Sequence, residues 1–168
     1  MVGAGMTFGE RFVGGTGEPA HAPQSIEELY EQKFAPMVRL ARLLVGSPDV
    51  AADVVQDAFV HLHRRWETIR FPEAYLRQAV VNGCKSHHRR RALELRTPIA
   101  APEPSALSAP ELLDAVMKLR YRERAALVLR FYEDLPDAAI AELLGCRVGT
   151  VASLVHRALA RLRLEIEA

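Results

Sequence analysis

This sequence predicts an all-α fold, built as two small helical domains joined by a Pro/Ala-rich linker, the second carrying a helix-turn-helix. Three observations carry that expectation. Apolar residues recur at intervals of three and four from Ser25 to Arg91 and again after Ser108, with no strand-like alternation anywhere. From Ala92 to Ala109 the rhythm is lost and Pro98, Pro102 and Pro104 stand among Ala and Ser, the composition of a semi-extended connector. Finally, Ile140, Ala141, Leu144, Gly145, Val151 and Leu154 lie at the offsets that two helices need to cross around a tight turn. The expected division is a flexible tail over 1–24, a first domain over 25–91, a linker over 92–108 and a second domain over 109–168.

Composition narrows the function classes. The chain of 168 residues is 49% hydrophobic, enough to bury a core, and its 7% aromatic content points to Leu, Ala and Val packing between helices. A net charge of +1 excludes a protein that coats nucleic acid by bulk charge and leaves only clustered charge to create a basic face. Cys84 and Cys146 are far apart with no CxxC pairing, so neither a disulfide scaffold nor a zinc ribbon is indicated, and a reducing cytoplasm fits. The Gly-rich opening stretch lacks an apolar run behind a basic start, so it does not read as a signal peptide; Met6 is an alternative start. No segment has the length and freedom from charge of a membrane span.

The first domain opens on a capping box, Ser25 with Glu28, followed by an inward stripe of Ile26, Leu29, Tyr30, Met37, Leu40 and Leu44. Pro36 predicts a kink or a fresh first turn, because it lacks an N–H and crowds the preceding turn. Gly46, Ser47 and Pro48 punctuate, and Ala51, Val55, Ala58, Phe59, Leu62 and Trp66 then line one side of a second helix from Pro48 to Trp66. Its other side carries Asp53, Gln56, Asp57, Val60 and Arg64, so two carboxylates and an amide face away from the core. Pro72 suits a helix first turn, and the third helix runs through Leu76, Ala79, Val80 and Gly83 into the densest basic run of the chain, Lys85, Ser86, His87, His88, Arg89, Arg90 and Arg91.

The second domain opens on Ser108 and Glu111, spaced as another capping box, and continues through Leu112, Leu113, Val116, Met117 and Leu119. A helix from Arg122 to Tyr132 follows, with Leu127 and Phe131 inward. In the helix-turn-helix, Ala141 must be small where the second helix passes, and Gly145 can take the left-handed backbone that ends the first helix. Ile140, Leu144, Val151 and Val155 fill the wedge. The second helix, from Val148 to Leu164, presents Thr150, Ser153 and Arg157 outward with Arg147 and His156 at its flanks, donors that suit phosphates and base edges in a major groove.

In this order the motifs resemble the extracytoplasmic-function (ECF) branch of the sigma-70 family of RNA polymerase sigma factors, from Ile26 to Arg163. Asp53-Val-Val-Gln56-Asp57-Ala-Phe59 resembles region 2.2, which implies that Asp53, Gln56 and Asp57 dock on the β′ clamp helices of core RNA polymerase. Tyr75-Leu-Arg77-Gln-Ala-Val-Val-Asn82 and the basic run resemble regions 2.3 and 2.4. That implies opening and reading of the promoter −10 element by Arg77, Asn82, Lys85, His88, Arg89, Arg90 and Arg91. Arg122-Glu123-Arg124 through Phe131, with the helix-turn-helix, resembles region 4, which touches the β flap and reads the −35 element, here through Arg147, Thr150, Ser153, His156 and Arg157. The resemblance implies promoter DNA and core polymerase as partners, with an anti-sigma factor as a further candidate, no membrane, no cofactor and no enzymatic step.

Some positions depart from the family's pattern. Pro136 stands where a capping Ser or Thr is usual, so Asp134 or Asp137 is expected to cap the first helix of the motif. Arg147 replaces a small residue before the recognition helix. Ala152 and Leu154 occupy positions that are often Lys and Arg, leaving fewer phosphate anchors. Gly83 costs about 1 kcal/mol relative to Ala inside a helix, which either loosens it or permits close packing. Two other functions compete: a helix-turn-helix regulator with a sensory or dimerising first domain, and, remotely, a helical metalloprotein using Cys84, His87 and His88 with His61 or His63.

Overall fold

The computed structural model describes residues 25–94 and 110–167, and these form helices joined by short turns. Helix α1 spans Ile26–Val45, α2 Pro48–Arg64, α3 Pro72–Glu94, α4 Pro110–Lys118, α5 Tyr121–Phe131, α6 Asp137–Leu144 and α7 Val148–Glu167; a 3-10 turn, Trp66–Thr68, separates α2 from α3. The expected tail, most of the linker and Ser108 lie outside the described residues. α3 runs three residues past Arg91, so Ala92, Leu93 and Glu94 are helical.

Local chemistry sets the ends of the first two helices. The Glu28 amide donates to Ser25 Oγ at 3.1 Å, as the capping box requires. Gly46 takes φ 84° and its N–H donates to the Arg42 carbonyl, closing α1 in the left-handed conformation that glycine adopts without a Cβ clash. Ser47 then caps α2, accepting from the Val50 amide at 3.4 Å, with Pro48 in the first turn. α1 continues through Pro36 as a single helix. The acceptor that Pro36 leaves without a donor is the carbonyl of Gln32, an exposed residue whose backbone solvent can reach.

α1, α2 and α3 pack on one another around Leu29, Leu40, Leu44, Val55, Leu62, Leu76, Val80, Val81 and Cys84, each fully buried or nearly so. α5 is the centre of the second group: Ala125, Ala126 and Leu129 are buried beneath α6 and α7, which supply Ile140, Ala141, Leu144 and Val151. The two groups share one continuous core. Val116, Tyr121, Ala125 and Leu129 belong to the same buried cluster as Leu40, Leu44 and Cys84. At about 25 cal/mol per Å² of apolar surface, that continuity favours the two groups staying together.

The helix-turn-helix forms as expected. Gly145 has φ 62°, the Cys146 amide donates to the Ala141 carbonyl at 2.9 Å, and α6 and α7 meet at 94°. Its cap differs from expectation. Pro136 is the N-cap residue with no side-chain hydrogen bond, Asp137 instead pairs with Arg130, and Asp134 sits in the preceding turn at φ 51°. An Arg–carboxylate pair is the stronger bond for Asp137, and Asp at a helix N-terminus still complements the macrodipole.

Three other expectations are corrected. Phe131 is 65% exposed. Leu127, one turn earlier, is covered by Leu119 and Ala158, but nothing among the described residues covers the end of α5. Tyr30 is 41% exposed, and α2 ends at Arg64 instead of Trp66. Leu154 is buried, in keeping with its place in the helix-turn-helix pattern, so here this position is core and supplies no phosphate anchor.

Candidate nucleic-acid and polymerase interface

α2 holds Asp53, Gln56 and Asp57 on its exposed side because the opposite side, Val55, Ala58, Phe59 and Leu62, is consumed by the core. Spacings of three and four put the three polar groups on one row. Beside them runs a groove of about 620 Å³ lined by Ile26, Tyr30, Gln56, Phe59, Val60 and Arg64, with Glu27 and Glu31 on its rim. Tyr30 stacks on Phe34 with ring centroids 4.7 Å apart and meets Phe59 edge-on at 4.9 Å. The half-exposed Tyr30 and Val60 thus extend the acidic row into an apolar seat. Helical periodicity had placed Tyr30 in the core; its ring instead packs on Phe34 and Phe59 at the groove and stays 41% exposed.

α3 is packed on its inner side by Leu76, Val80, Val81 and Cys84. Gly83 lies against α2: a Cβ there would sit 2.7 Å from Val54 Cγ1. The glycine therefore serves close packing. Along the rest of α3, the residues singled out in the sequence have unequal surroundings. Asn82 accepts a hydrogen bond from Gln78 Nε2 at 3.2 Å, Arg89 and Arg90 are exposed, and Arg91 is half-buried. Arg77 donates to Glu133 Oε2 at 2.8 Å, across to the α5–α6 turn. His88 stacks on Tyr121 of α5, ring centroids 4.4 Å apart, and Lys85 Nζ lies 3.8 Å from the Cβ position of Gly145. Burial first, then Arg124 and His87, pull the His88 pKa below its usual value, and burial with Arg91 and Arg90 does the same for His87. Both imidazoles favour the neutral form.

On α7, Arg147 and His156 are exposed, Thr150 is half-buried, and the exposed Ser153 donates its hydroxyl to the Gly149 carbonyl at 3.4 Å. Arg157 approaches Glu123 at 3.5 Å and Arg161 approaches it at 3.4 Å. Glu123 is itself 3% exposed, so a buried carboxylate on α5 holds two guanidinium groups in place on α7. Sequence periodicity did not assign Glu123 or Arg161 a role.

Between α3 and the α5–α7 face lies a cleft of about 680 Å³ in which Lys85, His88 and Arg89 look across at Arg120, Arg122, Thr150, Arg157 and Arg161. Next to it Arg124 is buried, 6% exposed, with no carboxylate partner among the described residues. Its Nε and Nη2 donate to the Leu44 carbonyl at 3.2 and 2.7 Å, and its Nη1 to the Met117 and Leu119 carbonyls at 2.9 and 3.3 Å. Leu44 needs that donor: its intrahelical partner would be residue 48, and Pro48 has no N–H. The acceptors lie at the C-terminal ends of α1 and α4, where helix dipoles are negative, so the cation is stabilised without a counter-ion. Cys84, beside it, has its thiol pushed up to about 12 by burial.

Two family models cover most of this architecture: Sigma-70 region 2 matches residues 29–94, and Sigma-70, region 4 matches residues 110–162. The RNA polymerase sigma-E factor of Streptomyces coelicolor is 37% identical over 152 residues, spanning 84% of this chain and 86% of the relative. The chain belongs to the sigma-70 family. The ECF RNA polymerase sigma factor SigM of Mycobacterium tuberculosis, 32% identical over 147 residues covering 82% of this chain and 75% of that one, places it in the ECF branch. As an ECF sigma factor it binds core RNA polymerase and promoter DNA and directs promoter recognition in transcription initiation. Sigma factors are non-enzymatic initiation factors. The region 2 match also disfavours a helix-turn-helix regulator with an unrelated first domain. The sigma factor RpoE bound to the anti-sigma factor NepR, from Bartonella quintana, shares the fold at a TM-score of 0.69 and 21% identity, covering 84% of this chain and 96% of that one. SigJ of Mycobacterium tuberculosis aligns at a TM-score of 0.60 and 26% identity, over 82% of this chain and 53% of that one. No single helix among the described residues is long and apolar enough to cross a membrane.

Proposed function

We propose that the chain divides its work between a first domain over 25–91 and a second over 109–168, joined by a linker over 92–108, and acts in the cytoplasm without catalysing a reaction. Asp53, Gln56 and Asp57 meet the β′ clamp helices of core polymerase, and the adjoining Tyr30–Val60 groove receives apolar side chains from the same partner. Arg77, Asn82, Lys85, His88, Arg89, Arg90 and Arg91 contact the −10 region, where cations pair with phosphates in a salt-dependent way. Arg147, Thr150, Ser153, His156 and Arg157 contact the −35 element, with α7 as the helix that enters the major groove. The exposed Phe131 offers an apolar contact to the β flap. An anti-sigma factor that seats on these faces would inhibit the chain, in keeping with the complexes formed by its structural neighbours.

The observation that carries this reading is the separation of charge: an exposed carboxylate row on α2 and basic faces on α3 and α7. Carboxylates on one helical row accept charge-assisted hydrogen bonds from the Arg side chains of a partner helix. The double reversal Asp53→Arg/Asp57→Arg tests it. Co-purification with core polymerase is expected to be lost while the far-ultraviolet dichroism stays that of the parent, and undiminished co-purification would remove α2 from the interface.

A further inference from the structure

Glu123 and Arg124 are the two charged side chains buried among the described residues. Arg124 spends its donors on backbone carbonyls, so Glu123 finds its partners elsewhere, on α7. Its Oε1 lies 3.5 Å from Arg157 Nε, and its Oε2 lies 3.4 Å from Arg161 Nη1. Arg157 and Arg161 are four positions apart, one helical turn, which is how a single carboxylate reaches both. Oε2 has no hydrogen-bond partner among the described residues and depends on the Arg161 charge.

The backbone beneath these side chains is held firmly. Ala158, the neighbour of Arg157, is fully buried with Leu119 and Leu127, and Leu162 packs on the same cluster. Further along, Lys118 Nζ of α4 pairs with Glu165 at 2.6 Å. The carboxylate therefore works from a fixed place on α5 against a fixed stretch of α7. Charge counting then decides what the cluster does. Two guanidinium groups share one carboxylate, so one positive charge is left over. Arg161 is the less exposed of the pair, 42% against 55% for Arg157, and serves as the counter-ion. Arg157 keeps its charge for an outside partner. Its contact with Glu123 engages the Nε edge while more than half of the side chain faces solvent. A planar guanidinium held by one edge offers its remaining N–H groups in a set direction, and it has less rotamer freedom to lose when it meets a phosphate or a base edge.

We propose that Glu123 is a positioning residue for promoter recognition. It aims Arg157 at the −35 element while Arg161 neutralises its buried charge, so sequence discrimination by α7 depends on a residue of α5 that does not touch DNA. This rests on the −35 assignment of Arg157 made above.

The sign of one substitution separates positioning from plain electrostatics. A carboxylate close to a DNA-facing surface repels phosphates, so charge alone predicts that Glu123→Gln tightens binding to every DNA alike. Positioning predicts weaker binding to a matched −35 element and no weakening on a scrambled one. Holoenzyme assembled from core polymerase and the full chain is titrated with a promoter recovered from the chain's own run-off transcripts, its −35 element intact or scrambled. The ratio of the two affinities is expected to fall about three- to tenfold in Glu123→Gln, the factor that pre-ordering one rotamer-rich side chain supplies. Arg161→Gln, at an exposed position where folding is not at stake, is expected to lower the ratio as well, because the whole Glu123 charge then falls on Arg157. In an Arg157→Ala background neither change should lower it further. A ratio unchanged in either variant, or lowered equally with and without Arg157, overturns the positioning role. An Arg157→Ala chain that keeps the full ratio overturns instead the −35 assignment on which the proposal rests.

Discussion

Replacing Arg124 by Met measures what the buried cation contributes. The side chain donates to three carbonyls through four contacts between 2.7 and 3.3 Å. Met keeps much of the apolar stem and removes every donor. The Leu44 carbonyl is the costly loss, because Pro48 cannot replace the donor and Leu44 is buried. A buried acceptor left unsatisfied costs about 1–3 kcal/mol, and hydrogen bonds from a charged group contribute about 1.5–3 kcal/mol. Removing the cation also relieves its own desolvation, so a net loss of about 3 kcal/mol is expected instead of the sum. For a chain of this size each kcal/mol moves the midpoint by roughly 2–4 °C, so Tm should fall by about 6–12 °C when followed by dichroism at 222 nm. Arg124→Lys should recover only a minor part, since one ammonium cannot reach both helix ends with the geometry of a guanidinium. A Met variant melting within about 2 °C of the parent would show that these carbonyls are satisfied without Arg124, and the reasoning would fail.

Two further perturbations follow from the packing and the histidines. Gly83→Ala gains about 1 kcal/mol in helix propensity, but its Cβ meets Val54 at 2.7 Å. Overpacking of about 1–3 kcal/mol should win, giving a net loss that shrinks in a Val54→Ala background, and a cycle with no coupling in urea denaturation would refute the contact. His87 and His88 have folded pKa values below the usual 6.5. The unfolded chain therefore takes up protons first as pH falls. Stability is fully present above pH 6.5 and drains away as pH drops through that value toward the depressed folded pKa. The urea midpoint should decline between neutral and mildly acid pH, and His87→Gln/His88→Gln should flatten the decline; the same slope in both proteins would clear the histidines.

Helix starts and stops were legible because their chemistry is local. Ser25 with Glu28, Gly46 before Ser47-Pro48, and Gly145 after Leu144 each declare a boundary within four residues. The helix-turn-helix was legible for the same reason. What periodicity could not supply is what covers each face. Tyr30 and Phe131 fall on the apolar side of their helices yet find no complete cover among the described residues, whereas Leu154 is buried. Arg124 and Glu123 were the least legible. Charged side chains in a run with Arg122 read as surface, and their burial depends on α1 and α7, remote in the chain. Pro48 was a local hint that Leu44 wants a donor, but not of which one. The polymerase-facing row on α2 was readable from spacing, while the mutual covering of α3 and α7 needed the tertiary structure.

The central claim, that this chain directs core polymerase to promoters, meets its most direct test in run-off transcription on genomic DNA with purified core enzyme, with and without the chain. A discrete set of transcripts that appear only when the chain is added, from start sites sharing −10 and −35 sequences, is the expected result. A transcript pattern identical in its presence and absence would contradict it.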